Sequence, residues 1–279
     1  YGSPVKSFPY YIATGYHRLK STCKTTYQSS DSIVEKSFFA YDTERPYNII
    51  SKSSLCSGGA EQVERTYYSN NTIPDKESLT ASQRSAIQLL TSRNYLTTPV
   101  QQTMEKKDKR LYSVLRGYSS SLSSGMVVED QYYCKGTDKY EKRISYNKYD
   151  IYGNPVYINK DGAEKVVYLW GYKGQYLLAE IKGATYEEVK KALMVDPASM
   201  SSCILPSIPL YLNMIDNLYK ALPSALITSY TYHPLIGASG IISPNKAKTT
   251  FEYNSDSQLI RIKDTEGKTM EEYQYHFRP

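Results

Sequence analysis

The fold of this chain is decided by the stretch Tyr146-Asn147-Lys148-Tyr149-Asp150-Ile151-Tyr152-Gly153-Asn154-Pro155-Val156-Tyr157-Ile158. It contains an aromatic strand, a Tyr-Asp corner, a polar turn with a glycine, and a second strand. Asp150 can hydrogen-bond its own backbone and begin a turn. Gly153 can take the positive φ that short hairpin loops often need. The stretch therefore predicts an antiparallel β-hairpin.

The same phrase returns elsewhere in the chain. A second copy runs over residues 250–262 with Tyr253-Asn254 at its corner and Ser257 where glycine is expected, and Tyr41-Asp42 marks a weaker copy. A repeat unit of about 20 residues holds two strands and two turns. We predict structural roles in the repeat for Tyr149, Asp150, Gly153, Gly162, Tyr168, Tyr253, Gly267 and Tyr273.

The repeat predicts a mainly β fold, in which consecutive antiparallel hairpins form an extended curved sheet with two short helical insertions. We divide the chain into an N-terminal hairpin region, residues 1–139, with a short helix near 80–92, and a repeat region, residues 140–279, with a helical insertion near 185–222. Thr185 followed by Glu188 is a capping-box pattern that places the start of a helix. Alternation along residues 166–172 predicts Val166, Tyr168, Trp170 and Tyr172 on one face of a strand.

Composition supports a thin sheet. The chain has 30 Tyr against 5 Phe and 1 Trp, which explains a low mean hydropathy of −0.54 in a chain rich in rings. Tyr buries a large ring and keeps a polar tip, so it suits sheets with a wet face. No stretch approaches the roughly 20 apolar residues of a membrane span.

Charge gives no sign of a nucleic-acid partner. The chain has 34 basic and 28 acidic residues, a net of +6. The densest basic run, residues 106–110, is expected at a solvated hairpin tip, because nucleic-acid footprints are usually larger stripes or known motifs.

Cysteine and histidine spacing predict neither a metal site nor a cofactor. Cys23, Cys56, Cys134 and Cys203 include no CxxC pair. Two disulfides in three possible connectivities and isolated thiols remain equally open. His17, His233 and His276 lack metal-ligand spacing, and we expect structural roles for His233 and His276.

No catalytic set is recognisable, so we predict that the chain is not an enzyme. Glu187-Glu188 and Glu271-Glu272 are adjacent carboxylates. Neighbours on a helix do not face each other, and neighbours on a strand point to opposite faces. A nucleophile elbow, a P-loop and a dinucleotide fingerprint are all absent from the sequence.

One aromatic group could hold a ligand. Trp170, Tyr172 and Tyr176 could form a platform for a sugar ring, and the alternative is that they are core rings between the sheet and the helical insertion.

The repeat resembles the YD-repeat, or RHS-repeat, family of bacterial surface and toxin-shell proteins. Residues 149–154 match its Tyr-Asp-x-x-Gly-Arg/Asn core, and residues 168–237 are similar to the closing segment of RHS-like proteins. The resemblance implies hairpins that spiral into a YD-shell-like sheet. RHS toxins also carry an Asp-Pro-x-Gly-type self-cleavage segment, but Asp196-Pro197 is followed here by Ala198-Ser199, so self-cleavage is not expected.

We therefore predict a non-enzymatic structural or interaction module of an exported YD-repeat protein. Two alternatives stay open, a carbohydrate-binding surface module and a shell fragment of a processed toxin-like protein. The expected partners are other repeats of a longer parent chain and a glycan or protein at the cell surface. The resemblance implies an extracellular or cell-surface location in a Gram-negative bacterium.

Overall fold

The computed structural model describes residues 17–28, 31–55, 59, 61–122, 125–202 and 208–276. Its strands are β1 (Ser21–Gln28), β2 (Asp31–Tyr41), β3 (Ile49–Leu55), β4 (Glu61–Tyr68), β5 (Pro99–Lys106), β6 (Lys109–Leu122), β7 (Gly125–Lys135), β8 (Glu141–Tyr149), β9 (Pro155–Lys160), β10 (Glu164–Gly171), β11 (Tyr176–Lys182), β12 (Leu226–His233), β13 (Gly237–Ile242), β14 (Lys248–Tyr253), β15 (Leu259–Lys263) and β16 (Thr269–Glu272). The helices are α1 (Ala81–Ser92), α2 (Tyr186–Leu193) and α3 (Ile208–Ala221), with short 3-10 helices at Lys76–Ser78 and Pro197–Ser202.

All sixteen strands belong to one open, curved sheet. Each strand pairs antiparallel with its neighbours in the sequence, from β1 at one edge to β16 at the other. The predicted mainly β fold of consecutive hairpins with two helical insertions is confirmed. The strand expected at residues 10–12 lies outside the described residues.

In both insertions the first α-helix begins with a capping box. At α1, the Thr80 side chain accepts from the Gln83 amide while the Gln83 side chain accepts from the Thr80 amide. At α2, Thr185 and Glu188 exchange the same two bonds, as predicted. These reciprocal bonds satisfy two backbone donors that the first helical turn leaves free.

The helices create two apolar cores on the sheet. The core under α1 contains Ile73, Leu79, Ala86, Ile87, Leu90, Val100, Leu115 and Tyr118. The core under α2 and α3 contains Val167, Leu169, Leu178, Ala179, Ile181, Ala184, Val189, Met200, Tyr211, Ile215, Leu218 and Ile227. The protein therefore has two layers only where the helical insertions pack against the sheet.

The turns fall on two rims because the strands alternate in direction. Turns that follow even-numbered strands lie on one rim, which we call the corner rim. It holds the Tyr41-Asp42, Tyr149-Asp150 and Tyr253-Asn254 corners and the segment that carries α1. The α2–α3 insertion leaves the sheet from the opposite rim, between β11 and β12.

Candidate functional site

The Asp150 corner is a closed hydrogen-bonded turn. The Asp150 carboxylate is 2% exposed and accepts from the amides of Tyr152 and Asn154 at 2.9 and 2.8 Å. The Asn154 side-chain amide donates to the same carboxylate at 3.0 Å. Gly153 closes the turn at φ +86°, in the region that favours glycine.

Two other turns repeat this geometry. Asn254 accepts from the amides of Asp256 and Gln258, and Asp264 accepts from those of Glu266 and Lys268, all at 2.9 to 3.0 Å. The residue three positions after the capping side chain has positive φ in each case, at Gly267 (+81°) and at Ser257 (+63°). Gly162 also has positive φ, +72°, in the β9–β10 turn.

Aromatic side chains link neighbouring strands along the corner rim. Near the end of each even-numbered strand, or four residues before the end in β6, one ring donates its O–H, or in one case its indole N–H, to a carbonyl at or next to the preceding odd-numbered strand. The donor–acceptor distances run from 2.5 to 3.0 Å. We call this set the aromatic row, and its members are Tyr41, Tyr68, Tyr118, Tyr149, Trp170, Tyr232, Tyr253 and Tyr275.

The acceptors make the row continuous. They are, in the same order, the carbonyls of Leu19, Ile49, Pro99, Val128, Pro155, Leu177, Ala238 and Leu259. From Ile49 onward, each acceptor is the residue that pairs across the sheet with the previous member of the row. For example, Tyr149 pairs with Pro155, whose carbonyl accepts from Trp170.

A β-bulge accompanies each ring that has a following strand in the sheet. The register shifts immediately before the ring, and the following odd-numbered strand carries one unpaired residue there. These bulged residues are Ile50, Val100, Glu129, Val156, Leu178, Ser239 and Ile260. Bulges re-aim side chains and increase strand twist, so their repetition at one rim accounts for both the aim of the rings and the curvature.

Five hydroxyls of the row are held in the protonated form by burial. Burial raises the pKa of Tyr118 and of Tyr232 to about 12, and it also raises the pKa of Tyr68, Tyr149 and Tyr253. A protonated hydroxyl is required because a phenolate cannot donate. Each bond contributes about 1 kcal/mol, so the row acts through its length rather than through any single member.

The three aromatic residues predicted as a ligand platform, Trp170, Tyr172 and Tyr176, lie in different environments. The Trp170 indole N–H donates to the Pro155 carbonyl at 2.8 Å, so this ring is the row member of β10. Tyr172 packs against the core under α2 and α3. Tyr176 lies edge-on to Tyr172 with ring centroids 5.0 Å apart, and it contacts Tyr232 at 4.7 Å. Carbohydrate binding by these rings stays a prediction.

The predicted common face for Tyr168, Trp170 and Tyr172 is wrong for Tyr172. The register shifts between Leu169 and Trp170, and Tyr172 has φ +54° in the turn that follows. This turn places Tyr172 against the same core as Leu169, which is the opposite of what simple alternation predicts.

A carboxylate pair was missed in the sequence. Gln83 on α1 donates its side-chain amide to Glu129 at 2.9 Å and to Asp130 at 3.1 Å. Adjacent strand residues ordinarily point to opposite faces, but Glu129 is the bulged residue opposite Tyr118. The only advance signal was that two acidic residues stand side by side in an apolar strand.

The pair fastens α1 to the sheet. Asp130 also accepts from Ser145 at 2.8 Å and from Tyr132 at 3.2 Å, and Lys142 lies 3.4 Å away. The helix approaches so closely that a Cβ on Gly117 would lie 2.4 Å from the Gln83 side chain. A cavity of about 410 Å³ opens beside the two carboxylates.

A larger cavity lies on the other side of α1. It has a volume of about 710 Å³ between the helix and the segment before it, with Ile73 and Ile87 in its lining. The guanidinium of Arg84 at this cavity is already engaged by Glu77 at 3.2 Å and by the Leu79 carbonyl at 2.8 Å. These contacts tie the helix to its own entry segment.

Two of the four cysteines and all three histidines lie within the described residues. Within them, no group of three His, Cys, Asp or Glu side chains could hold a metal ion. Cys23 and Cys134 are free thiols, exposed and buried respectively, whereas Cys56 and Cys203 lie outside the described residues. Among the described helices, none is long and apolar enough to cross a bilayer.

Asp196 has a structural setting. Its carboxylate accepts from the Tyr186 hydroxyl and from the Ala198 amide, and it lies 3.1 Å from Lys190. Burial opposes ionisation, but the hydrogen bonds from Tyr186 and Lys190 lower the pKa of Asp196. The carboxylate therefore closes the turn that follows α2.

Comparison with known proteins gives matches among solved structures alone. No protein-family model matches the chain, and no curated protein does. A chain in the crystal structure of TcdB2-TccC3-Cdc42 is 12% identical with a TM-score of 0.35, over 82% of this chain and 12% of that one. A chain of TcdB2-TccC3 is also 12% identical, with a TM-score of 0.33, over 88% and 10%. A chain of the Photorhabdus luminescens Tc holotoxin pore is 11% identical, with a TM-score of 0.33, over 82% and 12%.

This protein thus spans about a tenth of the length of the chains it matches. Its weak structural likeness is to chains of Tc toxin complexes. At these TM-scores the likeness supports no inference about role, which must come from the contacts within the chain.

Proposed function

We propose that this protein is a non-enzymatic wall module of a larger, exported YD-repeat protein. The observation that carries the proposal is the aromatic row, which repeats one bond and one bulge through consecutive hairpins. Such a device holds a sheet in shape at every repeat and brings no reactive groups together. The proposal keeps the predicted extracellular or cell-surface location.

The edges of the sheet support a role within a longer wall. β16 has exposed side chains at all four positions, including Met270, and β1 has no neighbour other than β2 among the described strands. An open edge offers unpaired N–H and C=O groups to another strand. Other repeats of a parent chain are the partners that fit such an edge.

The narrower alternative is a shell fragment of a processed toxin-like protein. A shell fragment would have the same architecture as the wall module, and its parent chain would in addition be cut by proteolysis. Intact mass of the purified chain over several days distinguishes the two, because processing predicts a discrete cleavage product and the wall module predicts none.

The non-enzymatic proposal is tested best at Glu129 and Asp130, since these carboxylates share a donor and lie beside a cavity. We expect the purified chain to show no turnover with panels of glycoside, ester and peptide substrates. Turnover that Glu129→Gln removes and Glu187→Gln leaves unchanged would overturn the proposal. Glu187 is an exposed carboxylate in the first turn of α2, which makes its variant a matched control.

A further inference from the structure

Three neighbouring turns on the corner rim present exposed side chains, which are apolar in the outer two turns and basic in the middle one. They are the β8–β9 turn with Ile151 and Tyr152, the β10–β11 turn with Lys173, and the β12–β13 turn with Leu235 and Ile236. Ile151 is 63% exposed, Leu235 is 95% exposed, and Tyr152 and Ile236 are each more than 40% exposed. We call these three turns the apolar tips.

The apolar tips form one continuous surface. The Asn154 side chain donates to the Gly174 carbonyl at 2.8 Å, which joins the first turn to the second. The Leu235 amide donates to the Tyr176 hydroxyl at 3.1 Å, which joins the third turn to the start of β11. These two bonds hold the three turns side by side.

Leu235 is unusual in both conformation and exposure. Its φ is +67°, a conformation that branched and bulky L residues rarely adopt. Glycine or asparagine suits such a position better. An aliphatic side chain that is held there in solvent suggests a contact outside the chain.

The backbone of the tips is largely satisfied from within. Its bonded amides are those of Tyr152, Gly153, Asn154, Gly174, Gln175, Leu235 and Ile236. Groups that already have partners can enter a medium of low polarity without losing hydrogen bonds to water. This property suits contact with a lipid layer.

The charge of the tips has one sign. Lys173 is exposed, and the carboxylate of Asp150 is 2% exposed and bonded inside its turn. Two other corner-rim turns differ, because Glu44 is exposed in the β2–β3 turn and Asp256 in the β14–β15 turn. A basic, apolar surface that is free of exposed carboxylates complements anionic headgroups.

We propose that the apolar tips bind peripherally to a lipid surface that contains anionic headgroups. Leu235, Ile236 and Ile151 enter the boundary between headgroups and acyl chains, Tyr152 lies at headgroup level, and Lys173 contacts phosphate or carboxylate groups. A lipid layer fits better than a protein pocket because the side chains project from convex turns. The inference is independent of the wall function proposed above.

The test is flotation of the full chain with vesicles made of equal parts phosphatidylcholine and phosphatidylserine, and with vesicles of phosphatidylcholine alone. We expect binding to the mixed vesicles that weakens with salt. Leu235→Asn should reduce binding about tenfold because a buried aliphatic side chain is lost. Lys173→Asn should reduce it about fivefold on the mixed vesicles and leave any binding to phosphatidylcholine unchanged.

Two controls separate binding from folding. Asparagine tolerates the φ of Leu235, so the urea midpoint of Leu235→Asn should not fall below that of the wild type. Leu55→Asn removes an exposed leucine, 45% exposed, at the end of β3 on the opposite rim, and it should bind as the wild type does.

Three results would overturn the proposal. They are no flotation of the wild type, equal flotation of the wild type and Leu235→Asn, and an equal loss in Leu55→Asn. Self-association without vesicle binding, abolished by Leu235→Asn, would identify the tips as a protein contact and would also reject the lipid surface.

Discussion

The hairpins β8–β9 and β12–β13 share a frame and differ at the corner. In both, the aromatic hydroxyl of the first strand donates to the strand before it, β7 or β11, and a bulged residue lies opposite the ring, Val156 in one and Ser239 in the other. The first corner is then capped by its own Asp150 carboxylate. The second corner has no such side chain, and the Leu235 amide bonds to Tyr176 of the neighbouring hairpin. The aromatic half of the repeat is therefore constant, whereas the acidic half is replaceable.

The largest expected effect comes from high pH, which ionises several hydroxyls of the aromatic row together. The pKa of Tyr118 and of Tyr232 is raised from the ordinary value near 10 to about 12. A raised folded-state pKa means that the stabilisation is fully present below pH 10 and is lost as pH rises towards 12. We expect cooperative unfolding in that window, measured by circular dichroism alongside phenolate absorbance. Tyrosine ionisation that is complete before any loss of β signal would contradict a structural role for the row.

The next effect separates the two corners. Asp150→Ala removes the buried acceptor of two backbone amides, and we expect a loss of about 3 kcal/mol in the free energy of unfolding. At the other corner, Tyr176→Phe removes the acceptor of one amide, and about 1 kcal/mol should be lost. Urea unfolding of the two variants measures the contrast. Equal losses would mean that the two corners are equally dependent on their caps.

A smaller effect should be the same in both hairpins. Tyr149→Phe and Tyr232→Phe each delete one hydroxyl that donates to a carbonyl, and each should lose about 1 kcal/mol in urea unfolding. Tyr27→Phe is the control, since that ring is 81% exposed and its change should fall within about 0.5 kcal/mol. A loss confined to Tyr149→Phe would refute the equivalence of the row members.

The smallest effect concerns the turn at Asn254, which copies the turn at Asp150. Ser257 has φ +63° where the first turn has Gly153. Ser257→Gly should gain roughly 0.5 kcal/mol, because relief of the left-handed strain slightly exceeds the entropy cost of glycine. The reciprocal variant Gly153→Ser should lose a similar amount. Thermal midpoints that move in the same direction for both variants would contradict this account.

Much of the fold could be predicted because its signals are local. The Tyr-Asp corner, the glycine three residues later and the Thr185–Glu188 capping box each act within five residues of one another. These patterns located the repeat hairpins and the helical insertions. They also led to the residues that form the turn at Asp150.

The aromatic row could not be predicted from the corners, because most of its members lack an Asp or Asn neighbour. Tyr68, Tyr118 and Tyr232 precede Ser69, Ser119 and His233. The bulges were also hidden, since a register shift depends on two strands together. A pattern built on tyrosine does not identify Trp170 as a member of the row. Simple alternation does not predict that Glu129 and Asp130 share Gln83 as a donor.

The strictly sequential order of the strands has a consequence for how this protein folds. Each strand finds its partners next to it in the chain, and the longest detours are the two helical insertions. Low contact order of this kind favours rapid formation from any nucleus, with growth hairpin by hairpin in both directions. Each hairpin is then stabilised directly only by the hairpins next to it in the sheet. If the chain emerges slowly from a narrow channel, its hairpins can therefore fold one after another, because none of them needs strands from the far end of the chain.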